Sequence, residues 1–143
     1  MKTLRILIVD DNEGLAEVIH YMLRFAGYDS RVARNPAEAY RAFLRYRPAL
    51  VISDLCMQGE NGVDLVRRMR EAKNANFNTI YMSGDLGRFS KELAEERRKY
   101  QVNTLAKPFR KTELLRLVAE FERVLAMRTA TPLNNERDER FHS

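Results

Sequence analysis

The stretch Leu4-Arg5-Ile6-Leu7-Ile8-Val9-Asp10-Asp11-Asn12 decides the fold. Its aliphatic run is too short for an interior helix and shows no polar alternation, so it reads as a strand buried on both faces. Two acids and a capping asparagine stop it abruptly. From Asn12 the period changes: Leu15, Val18, Ile19, Met22, Leu23 and Ala26 recur at helical spacing until Gly27. A strand buried on both faces and followed by a helix is the unit of a parallel sheet.

The same alternation continues along the chain. Tyr28 to Ala33 reads as a second strand, and Asn35-Pro36 supplies a cap and a first-turn proline for a helix through Tyr40, Phe43 and Leu44 that Pro48 ends. Ala49-Leu50-Val51-Ile52-Ser53 is the third strand; a loop from Met57 to Gly62 leads to a helix with Leu65, Val66 and Met69. Thr79-Ile80-Tyr81-Met82 is the fourth strand. The helix expected over residues 90–100 is poorly amphipathic, with Phe89, Leu93 and Ala94 nearly its whole apolar stripe. Val102 to Ala106 forms the fifth strand, and Thr112 is placed to cap a last helix carrying Leu114, Leu115, Leu117, Val118, Phe121, Val124 and Leu125. Right-handed crossovers put helices on both faces, so the expected class is α/β, a three-layer sandwich with a five-stranded parallel sheet and five helices. One domain spans residues 1–128, and the polar segment 129–143, with Thr131-Pro132 and Asn134-Asn135, is expected to be a flexible tail.

Composition excludes several function classes. The chain has 143 residues, 45% hydrophobic and 31% charged, enough for one core but with no uncharged apolar run near membrane-span length. Its first residues lack a signal-peptide pattern, which favours the cytoplasm. One cysteine, Cys56, and two histidines, His20 and His142, provide neither a disulfide framework nor a zinc set. The +5 net charge is matched by residues 88–128 alone, where eleven Lys/Arg face six Asp/Glu. These basic residues are interleaved with glutamates as on a solvated helix, so direct nucleic-acid binding is not expected. The same face could attract an acidic protein.

In open parallel sheets, ligands bind beyond the carboxyl ends of the strands. Those ends carry Asp10 and Asp11, Asp54, Ser83, and Lys107-Pro108. Carboxylates about 4 Å apart repel by ~4 kcal/mol at an effective dielectric near 20, so the set demands counter-charge. Lys107 supplies one positive charge. The remaining all-oxygen, acidic character suits a hard divalent cation such as Mg²⁺. With cation and lysine neutralising phosphoryl oxygens, a carboxylate can attack phosphorus in line and become an aspartyl phosphate. The plainer reading is ordinary polarity at strand ends, and for Ser83 a turn hydroxyl before Gly84. Asp85 could tune water access or be a simple loop acid; His20 falls on the polar side of the first helix.

Asp10-Asp11 after an aliphatic strand, Asp54 within Val51-Ile52-Ser53-Asp54-Leu55-Cys56-Met57, Asn61-Gly62, Ser83-Gly84 and Lys107-Pro108-Phe109 together resemble the receiver domain of two-component response regulators. The resemblance runs from about Leu4 to Leu125. It implies the flavodoxin-like strand order 2-1-3-4-5 and a cis peptide before Pro108. It also implies Asp54 as phosphoacceptor, Asp11 as direct Mg²⁺ ligand, Asp10 holding the metal through water, and the Cys56 backbone carbonyl as a further ligand. Ser83 would hydrogen-bond the phosphoryl group and Lys107 would pair with it. The implied partners are a sensor histidine kinase or histidine phosphotransfer protein, and a downstream protein meeting the fourth helix, fifth strand and fifth helix. The chain departs from the pattern at Gln58, where proline is common, and at Thr104, where an aromatic residue usually reports phosphorylation. Tyr81 or Tyr100 is the candidate to compensate. The expected function is a switch more than an enzyme, either a single-domain regulator or a receiver cut from a larger protein. Its rivals are a phosphorylation-independent interaction module, against which the complete acid, hydroxyl and lysine set speaks although Thr104 speaks mildly for it, and a Mg²⁺-dependent aspartyl-phosphate phosphatase, which lacks a second acid two residues past Asp54. Neither nucleotide-binding glycine motif occurs.

Overall fold

The computed structural model describes the backbone of residues 4–142 and the side chains of residues 4–128. Strands β1 (Arg5–Val9), β2 (Asp29–Ala33), β3 (Leu50–Asp54), β4 (Asn78–Ser83) and β5 (Val102–Ala106) alternate with helices α1 (Glu13–Phe25), α2 (Pro36–Tyr46), α3 (Gly62–Arg70), α4 (Ser90–Lys99) and α5 (Lys111–His142). All the strand pairings are parallel and the order is β2-β1-β3-β4-β5, as expected. A short 3-10 turn, Leu86–Phe89, precedes α4. The expected flexible tail, 129–143, lies outside the residues whose side chains are described.

Because successive side chains of a strand point to opposite faces, β1 feeds two cores. Ile6 and Ile8 pack with Ile52, Ile80, Leu114 and Val118 under α1 and α5. Leu7 and Val9 pack with Val51, Tyr81, Phe43 and Leu65 under α2, α3 and α4. The central β3 is buried along its whole length, which accounts for its unbroken apolar run.

Local signals act where the sequence puts them. The Asn12 side chain accepts from the Leu15 N–H at 3.1 Å, the Asn35 side chain from the Glu38 N–H at 2.8 Å, and Gly27 adopts φ +93° after α1. Thr112 is not the cap of α5. The helix begins one residue earlier, and the Glu113 carboxylate accepts the Arg110 N–H at 3.2 Å in a reach-back of the kind that closes capping boxes. His20 is tied to the neighbouring strand, its Nδ1 lying 2.6 Å from the Ser30 hydroxyl.

The fourth helix departs most from its sequence reading. Phe89 and Leu93 are buried as expected, but Ala94 is exposed and the second buried residue of α4 is Glu96. Its carboxylate accepts the Tyr81 hydroxyl at 2.7 Å and an Arg70 guanidinium N–H at 2.5 Å, with Arg67 Nε at 3.7 Å. Arg70 in turn stacks over Tyr100, 3.6 Å from the ring centroid. A buried carboxylate requires such partners, and they come from β4 and α3, far away in sequence.

Candidate functional site

Two strand ends bring three acids into one pocket. Asp10 and Asp11 follow β1, Asp54 ends β3, and one carboxylate oxygen from each lies within 4.8 Å of the others. Asp10 is fully buried and Asp11 exposed, so one acid is fixed by the fold while the other stays reachable from solvent. The Asp10 carboxylate accepts the Asn12 N–H at 2.9 Å.

Lys107, just past β5, reaches into this pocket. Its Nζ lies 2.9 Å from Asp10 and 3.4 Å from Asp54, holding two carboxylates that would otherwise repel. Burial pushes the Asp54 carboxyl above its ordinary range; Lys107 opposes that shift and Asp10 adds to it. Three carboxylates against one ammonium leave two negative charges uncompensated. An all-oxygen donor set with that charge fits a hard divalent cation.

The surroundings hold this geometry. Gly62 packs so closely that a Cβ there would stand 2.3 Å from the Asp54 carbonyl oxygen, and its N–H donates to Leu55 O at 3.0 Å. Gly62 is thus needed sterically beside the phosphoacceptor candidate, while Asn61 caps α3 by accepting the Asp64 N–H at 2.9 Å. Ser83, buried at the end of β4, accepts the Asp85 N–H at 2.9 Å through its hydroxyl oxygen, which leaves the hydroxyl proton for another acceptor. Lys107 N–H donates to the Ser83 carbonyl at 2.8 Å, and the Lys107-Pro108 peptide is cis. Asp85 caps the 3-10 turn by accepting the Arg88 N–H at 3.2 Å, the plainer of its two readings. Cys56 donates its N–H toward Asp54 at 3.4 Å, and its exposed thiol lies 3.8 Å from Arg88.

Of the strand-end residues singled out in the sequence, Asp10, Asp11, Asp54 and Lys107 therefore lie around one pocket, and Ser83 is joined to Lys107 through the backbone. The Glu96–Tyr81–Arg70 cluster was missed there. Its one available signal was the weak apolar stripe of α4, which left unsaid what else fastens the helix.

Thr104 is half-buried, paired in register with Tyr81, and receives an Arg97 guanidinium N–H at 3.3 Å. Tyr81 is wholly buried, whereas Tyr100 is 44% exposed.

Among curated proteins, the chain is 42% identical over 66 residues to the DNA-binding response regulator MtrA of Mycolicibacterium smegmatis, covering 46% of this chain and 29% of that one. It is 32% identical over 113 residues to the DNA-binding transcriptional regulator NtrC of Rhizobium meliloti, covering 79% of this chain and 23% of that one. The aligned part is thus under a third of either relative's length. Among solved structures, a putative response regulator from Chloroflexus aurantiacus is 30% identical with TM-score 0.71, over 83% of this chain and 97% of that one. A CheY-like receiver domain from Methylobacillus flagellatus matches the fold with TM-score 0.74 at 22% identity, over 83% of this chain and 98% of that one. The response regulator receiver domain family matches residues 6–119. With its strand order and its strand-end acids, the chain belongs to the receiver domain family of two-component response regulators.

Proposed function

We propose that the chain is a phosphorylation-dependent switch that takes a phosphoryl group from phosphohistidine onto Asp54. The observation that carries this reading is Lys107 bridging Asp10 and Asp54 beside a third carboxylate. In the transfer, an Asp54 carboxylate oxygen attacks phosphorus while the P–N bond breaks, and the imidazole nitrogen keeps the electron pair. Lys107 follows the charge to a phosphoryl oxygen, and the Ser83 hydroxyl donates the proton that its bond from Asp85 leaves free. Asp10, Asp11, Asp54 and the Cys56 carbonyl would hold Mg²⁺, which when bound neutralises phosphoryl oxygens. Slow attack of water on phosphorus returns the carboxylate and releases inorganic phosphate.

The donor is a sensor histidine kinase or a phosphotransfer protein, and the output is a changed surface around α4, β5 and α5. No described helix is long and apolar enough to cross a membrane. MtrA and NtrC are named as DNA-binding; for this chain we keep protein partners as the primary reading, because its basic residues on α4 and α5 are interleaved with acids.

Acetyl phosphate or a phosphohistidine donor with Mg²⁺ should label the protein, and Asp54→Asn should abolish the base-labile label. Equal labelling of the variant places the nucleophile elsewhere. Sustained turnover of phosphate esters would favour the phosphatase reading instead.

A further inference from the structure

At the opposite end of the sheet from Asp54, four arginines from three elements gather around one aromatic ring. Arg5 opens β1, Arg31 lies on β2, and Arg45 and Arg47 flank the last residue of α2, Tyr46; these five residues line a cavity of about 350 Å³. Arg31 lies over the Tyr46 ring at 4.9 Å from its centroid and Arg5 at 5.9 Å. Contact with a buried ring steadies the Arg31 guanidinium and leaves its donors available to an acceptor.

The cluster is only partly explained by local needs. Arg5 donates from Nε and Nη2 to the Arg47 carbonyl at 3.3 and 3.0 Å, gripping a residue that closes α2 in the left-handed conformation, φ 50°. That accounts for Arg5. Among the described residues, no carboxylate lies within 4.0 Å of Arg31, Arg45 or Arg47 to form an ion pair, so this group of guanidiniums has no acid paired directly to it. The acid felt here is Asp29, whose charge, after burial, pushes the Tyr46 hydroxyl above its ordinary range. Counting Asp29 against the four guanidiniums leaves a net of +3. The carboxyl end of α2 offsets only part of that.

We propose that this cavity binds an anion carrying two linked phosphate groups, free or as part of a nucleotide. The basic residues are arginines throughout, whose planar fork matches phosphate oxygens two at a time. Neutralising that much charge in so small an open cavity calls for a compact ligand with several charges, which linked phosphates are and a single carboxylate is not. Arg5 is the first residue of β1, Arg31 the middle one of β2, and Arg45 and Arg47 stand at the end of α2; none of them belongs to the acidic pocket, so the site is separate from it and from phosphorylation.

The test is a titration of the full, ¹⁵N-labelled chain with pyrophosphate and EDTA, followed by amide shifts. Saturating shifts in residues 29–33 and 45–48 are expected, weakened at least tenfold by Arg31→Gln with Arg45→Gln and by less with Arg45→Gln alone. ADP should perturb the same amides. Shifts confined to Asp10, Asp54 and Lys107, or undiminished binding by the double variant, overturn the proposal. So does equal affinity for orthophosphate, which reduces the ligand to one phosphate. Tighter binding of duplex DNA or of a hexaglutamate peptide at these residues assigns the surface to a macromolecule and overturns it too.

Discussion

Helices α4 and α5 follow neighbouring strands, β4 and β5, yet are fastened to the sheet by opposite means. Helix α5 lays Leu114, Val118 and Phe121 into a continuous apolar core, each burial worth about 1.5–3 kcal/mol and none dependent on a particular angle. Helix α4 buries Leu93 and then a carboxylate, Glu96, bound to Tyr81 and Arg70. Apolar contact is non-directional and fails gradually, whereas a buried ion pair with directed hydrogen bonds is either formed or costly. The helix with fewer apolar anchors and more directed ones is the better candidate to shift as a unit. Tyr81 also lies two residues before Ser83, on the same face of β4, so motion at the pocket has a short route to the Glu96 cluster.

The sharpest way to break this contrast is Glu96→Ala. It leaves Arg70 and Tyr81 without their acceptor and should cost about 3–5 kcal/mol, read as a lowered urea midpoint. Loss of amide protection should be concentrated in residues 90–99. Leu114→Ala should cost a similar amount, about 2–5 kcal/mol, but lower protection across the α1–α5 face. If both variants lose protection in the same residues, the two helices do not form separate units.

Tyr81→Phe removes one hydrogen bond to Glu96 while keeping the ring. A loss of about 1.5–3 kcal/mol is expected, the range for a bond to a charged group. An unchanged midpoint would mean that Arg70 alone satisfies Glu96.

Beryllofluoride, a phosphoryl mimic, tests whether the contrast is used. Hydrogen exchange should change from Ser83 through residues 88–100 and leave the core of α5, residues 114–121, nearly unaltered. Changes confined to the loops around Asp54 and Lys107 would mean that α4 does not carry the output.

The smallest effect is expected at the pocket itself. Burial raises the Asp54 carboxyl in the fold relative to the unfolded chain, so its ionisation favours unfolding. Without metal, Asp54→Asn should therefore be more stable than the parent near pH 7 by about 0.5–2 kcal/mol. That advantage should disappear below about pH 4, where the carboxyl is protonated in both states. An advantage that persists there would have another cause.

The strand and helix alternation and the strand-end acids were legible in the chain because each rests on a local rule. Aliphatic runs such as Ile6 to Val9 mark strands buried on both faces, period changes at Asn12 and Asn35 mark helix starts, and a parallel sheet brings its strand ends together. Thr112 failed as a cap because Arg110 and Glu113 satisfy that helix end reciprocally, a choice between near-equal local signals.

Packing alone settled the fate of groups whose partners lie elsewhere in the chain. Glu96 looks like one more surface charge among Glu95, Arg97 and Arg98, and nothing in its own helix says that Tyr81 and Arg70 will enclose it. Arg5, Arg31, Arg45 and Arg47 are scattered over two strands and a helix end until the β1–β2 pairing and α2 gather them around Tyr46. Periodicity reports how an element divides apolar from polar residues. The burial of a charge is decided by what other elements bring to it, since desolvation is tolerable only where partners arrive at hydrogen-bonding distance.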